Sequence, residues 1–258
     1  MPRHPHPLLR CARTTAATLA ALGLGGGVPV ARANPGYYVL QAYDQAGELA
    51  VELRYWTVHH DGRPAVLWPE LGASWGVNAR WTTGLLASWI GTADTAQVLE
   101  TLHWRNDLML TQGEWPWDLS LHTDLVRLHR DGGRLQAEWG PVLQTDFGRT
   151  RVNTALLWQR GFGGGTPVQP QLQWQWRLSH RWTPGLRLGV EGFSEFGPWD
   201  DAMPLDRQAH RIGPMLDWQP WPGEARPMSL QLAWLRGKTF GKPGSMFSLQ
   251  WRWGFDAR

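Results

Sequence analysis

The 258-residue chain holds 19 tryptophans and a single cysteine, and its 25 basic and 22 acidic residues leave it near neutrality. One thiol excludes a disulfide framework and thiolate metal sites, and the charge balance offers no basic surface for nucleic acid. Tryptophan at this density calls for surroundings that accept an apolar ring and an N–H donor together, as a membrane interface does.

Taken in chain order, Arg3, Arg10 and Arg13 form a basic start, and residues 14–30 are small and mostly apolar. Ala31-Arg32-Ala33 then supplies a small-x-small site, so residues 1–33 read as a signal peptide and cleavage is expected before Asn34. Gly25-Gly26-Gly27 and Pro29 interrupt the stretch and disfavour an anchoring helix, and Cys11 precedes the apolar region, the wrong order for a lipoprotein. Four of the 25 basic residues and none of the 22 acidic ones lie in this leader, so 34–258 carries 21 basic residues against 22 and a net charge of −1. The basic isoelectric point therefore mostly reflects the leader.

Twelve strands are predicted, at 48–59, 66–81, 85–92, 97–111, 116–129, 134–145, 149–160, 170–182, 186–197, 208–219, 227–237 and 245–255, with ten as the alternative count. Residues 37–43 read as an extension of the first strand or a periplasmic segment. Pro69 implies an irregularity in the second strand. Arg80-Trp81-Thr82-Thr83-Gly84-Leu85 recurs as Arg181-Trp182-Thr183-Pro184-Gly185-Leu186, and both copies are expected to form tight turns on the same, periplasmic, side. The longest links, 161–170 and 197–208, then fall on the external side.

Strand after strand alternates an apolar face with a polar one. Leu49, Val51, Leu53 and Tyr55 oppose Ala50, Glu52, Arg54 and Trp56; Leu172, Trp174, Trp176 and Leu178 oppose Gln173, Gln175 and Arg177. No helical segment is available to cover the apolar faces, and no run of about 18 apolar residues follows the leader. The pattern therefore predicts an all-β protein, a closed antiparallel transmembrane barrel with its apolar face toward lipid. Asn106 breaks the pattern on the lipid side of the fourth strand. In the last strand Phe247, Leu249, Trp251, Trp253 and Phe255 share one face. Here the chain resembles a bacterial outer-membrane β-barrel, whose final strand commonly ends on an aromatic residue. That resemblance implies an outer-membrane location, contact with its lipids, and recognition by barrel-assembly machinery through the strand ending at Phe255. The tail Asp256-Ala257-Arg258 departs from the pattern. Residues 182–197 with His210-Arg211-Ile212-Gly213-Pro214 also resemble proteobacterial outer-membrane proteins of unassigned role.

Inward positions mix both signs of charge. The expected function is a narrow channel for small polar or anionic solutes, with Arg54, Arg177, Arg187 and Arg252 as selectivity residues. A non-conducting structural barrel of the envelope is an alternative, since paired charges also fill small barrels. A lipid hydrolase is another: Ser120, His122 and Asp124 share the inward face of one strand, and outer-membrane phospholipases and lipid A deacylases place His and Ser on barrel strands. Same-face neighbours lie about 6.6–6.8 Å apart at the backbone, however, too far for direct Ser–His proton transfer near 3 Å. His59-His60-Asp61-Gly62 reads as a hairpin turn, not a metal site, because adjacent strand histidines face opposite ways. Gly163-Gly164-Gly165 and Trp199-Asp200-Asp201 read as external loops. No cofactor, metal or nucleic-acid partner is expected.

Overall fold

A computed structural model of the chain describes residues 38–42, 46–130, 132–163, 169–222, 228–239 and 241–256. The expected leader, Tyr37, Tyr43, Gly164-Gly165 and the Ala257-Arg258 tail lie outside the described residues.

Twelve strands form, as the alternation predicts: β1 (Glu48–His59), β2 (Val66–Asn78), β3 (Trp81–Thr92), β4 (Thr95–Met109), β5 (Asp118–Leu128), β6 (Arg134–Phe147), β7 (Thr150–Phe162), β8 (Gln171–Thr183), β9 (Leu186–Pro198), β10 (Ala209–Trp218), β11 (Met228–Thr239) and β12 (Lys242–Asp256). Each pairs antiparallel with its sequence neighbours, and β12 returns to β1 in register from Glu48↔Asp256 to His59↔Ser245. Closure leaves no unpaired sheet edge, which a chain surrounded by hydrocarbon requires. The lengths, 10 to 15 residues, suffice for tilted strands to cross a bilayer's hydrocarbon layer.

The pleat sorts side chains as expected. In β1, Ala50, Glu52, Arg54 and Trp56 are buried inside, while Leu49, Val51 and Leu53 are exposed on the outer wall. Outward Trp104 and Trp174 donate their indole N–H groups across the ladder to Thr83 and Thr154 hydroxyls, at 3.0 and 2.8 Å. Asn106 is accounted for in the same way: its Oδ1 accepts the Trp81 indole N–H at 3.2 Å, near the strand ends. A polar atom facing lipid is tolerable when it is paired.

Two details differ from the sequence reading. The first copy of the repeated motif does not turn within itself: the turn is Ala79-Arg80, and Trp81 to Gly84 already pair with β4. Asn78 Oδ1 accepts the Arg80 backbone N–H at 2.8 Å, an Asx-type closure, and the β-branched Thr82 and Thr83 favour the strand. In the second copy Pro184-Gly185 makes the turn, because proline cannot donate to the ladder. Arg80 consequently points to the barrel end where β1 begins and β12 ends, the terminal end. There it meets Glu114 at 3.4 Å in the 110–117 connection. The backbone N–H of Gln112 is the main cause holding the exposed Glu114 carboxyl below its usual range. Turns at this end are not uniformly short, since 110–117 and 219–227 are both long connections.

The second difference concerns residues 38–42. They neither extend β1 nor lie outside: Tyr38, Val39 and Ala42 are buried, with Tyr38 and Leu40 lining the barrel interior.

Candidate functional site: the lumen

Inward positions divide the lumen into an apolar part and a polar part. Toward the end opposite the termini, Trp56, Val58, Trp68, Phe193, Met215, Leu235 and Met246 pack together around Tyr38 and Val39. The Trp56 and Trp68 rings stack at 4.3 Å. Sequence reasoning placed Trp56 on the inward face but expected charge to dominate there. The missed signal is that the inner register of β1 changes from Glu52 and Arg54 to Trp56 and Val58 at mid-strand.

Below this cluster lies a polar belt. Glu52 is its hub, its carboxylate facing Arg54 at 2.7 Å, Arg105 at 3.2 Å and Arg252 at 3.7 Å. β1 and β12 are neighbours in the ring, whereas β4 stands beyond β2 and β3, so Arg105 reaches Glu52 through the lumen. A cavity of about 410 Å³ at the terminal end is lined by Arg54, Arg105, Arg252, Glu52 and Asp107, together with Gln231, Gln250, Ser74 and Thr82. Deeper in, a second cavity of about 40 Å³ touches Arg54, Glu70, His103, Arg105, His122 and Asp124. That volume holds only about three waters. Leu40, Arg54 and Arg105 border both spaces and separate them.

The four arginines singled out in the sequence occupy different settings. Arg54 and Arg252 line the larger cavity. Arg177 lies deeper, clamped by Glu191 at 2.7 Å and donating to Gln231 at 3.0 Å. Arg187 pairs in register with Asp217 toward the terminal end of β9. Arg105, which is not one of those four, stands at the junction of the two cavities.

Ser120, His122 and Asp124 do share the inner face of β5, but the nearest partners of His122 and Asp124 lie on β4, with Glu138 of β6 3.8 Å from His122 Nε2. His122 Nδ1 is 2.7 Å from Asp107 Oδ1, and Asp124 Oδ2 is 2.7 Å from His103 Nδ1. Ser120 Oγ is buried and makes no hydrogen bond. A different chain of groups runs from Ser88 through Thr101 to His103 and Asp124, with Thr101 Oγ1 2.8 Å from His103 Nε2. It has the order of a hydroxyl–imidazole–carboxylate relay. Ser88 and Thr101 are both 0% exposed, so neither hydroxyl can meet a substrate bond. Cross-strand pairing assembles this relay, which a single-strand pattern cannot reveal. Among the described residues no group of three or more His, Cys, Asp or Glu is arranged to hold a metal ion.

A closed ring of twelve strands, an apolar outer wall with paired indoles and a charged interior define an outer-membrane-type β-barrel. Solved structures agree on that class. The COG4313 outer-membrane channel from Pseudomonas putida F1 superposes with a TM-score of 0.58 at 13% identity, covering 86% of this chain and 98% of that one. The NanC porin gives 0.54 at 10% identity, covering 80% and 98%. The KdgM porin gives 0.54 at 8% identity, covering 80% and 99%. At these identities the likeness establishes the fold. No protein-family model and no curated protein matches the chain.

Proposed function

We propose that the chain is an outer-membrane channel for small polar solutes, anions among them. The observation that carries this reading is the cavity of about 410 Å³ inside a membrane-type barrel, walled by three arginines, two carboxylates and several amides and hydroxyls. Such a wall replaces the hydration of a small polar solute with fixed donors and acceptors. The arginines outnumber the carboxylates on that wall, which favours anions, while Glu52 keeps the bias modest. Arg54, Arg105 and Arg252 are the selectivity residues this arrangement supports best; Arg177 and Arg187 act from outside the cavity wall. The barrel-fold relatives described as channels and porins fit the same reading.

The test is solute entry into proteoliposomes carrying the folded protein, followed by osmotic swelling. A monosaccharide and its singly charged acid should enter, and a large oligosaccharide should not. Absence of entry by either small solute, in the native protein and in a Tyr38→Gly, Leu40→Gly variant alike, would overturn the channel.

A further inference from the structure

The most informative unassigned feature is the short segment inside the barrel. Residues 38–42 precede β1 and lie within the lumen. Gln41 and Leu40 line the larger cavity, Leu40 and Tyr38 the smaller one, and Tyr38 and Val39 join the apolar cluster beyond. The segment therefore runs along the path between the two cavities.

It also reaches across the barrel. Tyr38 donates its hydroxyl to the Leu249 carbonyl of β12 at 3.3 Å, and its ring lies 4.8 Å below the Arg54 guanidinium of β1. Leu40 packs against Val142, Ala155 and Leu157 of β6 and β7, and its backbone N–H donates to Gln175 Oε1 of β8 at 3.4 Å. In the ring order β6 and β7 stand opposite β12 and β1. Tyr38 and Leu40, two residues apart, thus link facing walls, and the apolar groups of the two sides meet through them. Both hydrogen bonds are longer than the usual 2.7–3.2 Å, and neither belongs to the barrel ladder. With the expected cleavage before Asn34, the segment is a free chain end, able to leave the lumen without breaking any strand pair.

We propose that residues 38–42 form a gating strap, which closes the pore by bridging the β12–β1 wall to the β6–β7 wall and opens it by withdrawing toward the terminal end. This inference rests on the channel reading. Withdrawal removes Leu40 from the partition between the cavities and Tyr38 from beneath Arg54. Polar solutes then meet guanidinium and amide groups where the closed barrel offers apolar side chains.

Leu40→Cys with Gln175→Cys, in the mature chain from Asn34, places two thiols in a sequence whose one natural cysteine, Cys11, is in the leader. A short bis-methanethiosulfonate reagent joins them, intact mass confirms the link, and dithiothreitol removes it. Single-channel currents should disappear on linking and return on reduction. A Tyr38→Gly, Val39→Gly, Leu40→Gly variant should spend at least tenfold more time open than the native protein. Equal currents before and after linking would overturn the strap while leaving the channel standing. Silence in every state, including the triple-glycine variant, would overturn both.

Discussion

Glu52 is the residue whose alteration reports most on the lumen's electrostatics. Its side chain is 8% exposed and serves three guanidiniums, those of Arg54, Arg105 and Arg252. Glu52→Gln preserves shape but leaves three like charges without their shared counter-ion. Breaking a fully buried ion pair costs about 3–5 kcal/mol. Arg252 is 22% exposed and also meets Glu48, and the adjoining cavity lets water screen the rest. The expected loss is therefore about 2 kcal/mol, below that range because solvent shares the compensation. Guanidinium unfolding of the refolded barrel in detergent, followed by tryptophan fluorescence and heat-dependent gel mobility, measures it. A cycle with Arg105→Met should show that the two changes are less than additive. An unchanged midpoint for Glu52→Gln, or strict additivity in the cycle, would refute the hub.

Gly140→Ala tests close packing of the wall: an added Cβ would lie 1.9 Å from the Leu156 carbonyl oxygen, so the ladder must shift. The expected loss is about 1–3 kcal/mol, as for an overpacked core, and an unfolding midpoint equal to that of the native protein would contradict it. Ser120→Ala removes a buried hydroxyl without a partner, so stability should hold or rise, and fatty-acid release from lipid should not depend on it. Release that is present in the native protein and lost in this variant would revive the hydrolase alternative. Trp174→Phe removes the N–H donated to Thr154 at 2.8 Å. It should cost about 0.5–1.5 kcal/mol, and adding Thr154→Val should cost more, because the Thr154 hydroxyl also donates to the Gln175 carbonyl at 3.2 Å.

The wall was legible in the sequence because a period of two, held over twelve segments, admits one arrangement in lipid. Strand ends agree closely even for β1 and β9, and Asp61-Gly62 turns as its composition predicts, with Gly62 at φ 69°. Errors arose where a local motif was asked to report a tertiary choice. Trp81-Thr82-Thr83-Gly84 and Trp182-Thr183-Pro184-Gly185 look alike, yet an Asn78 side chain moves one turn upstream and a proline fixes the other. The interior was less legible. Partners there come from other strands, Arg105 and Arg252 for Glu52 and the adjacent β4 for His122 and Asp124, so they could not be read from any single strand. The segment at 38–42 lacks a strand partner and a periodic pattern, which is why its place inside the barrel leaves no mark on the sequence.

The most direct test is single-channel recording from the refolded chain beginning at Asn34 in a planar bilayer under a salt gradient, with folding first confirmed by heat-dependent gel mobility. Discrete current steps with an anion-biased reversal potential, moved toward zero by Arg252→Ala, are the predicted result. A folded barrel that stays silent even when residues 38–40 are glycine, or one that conducts with a cation bias, would contradict the account.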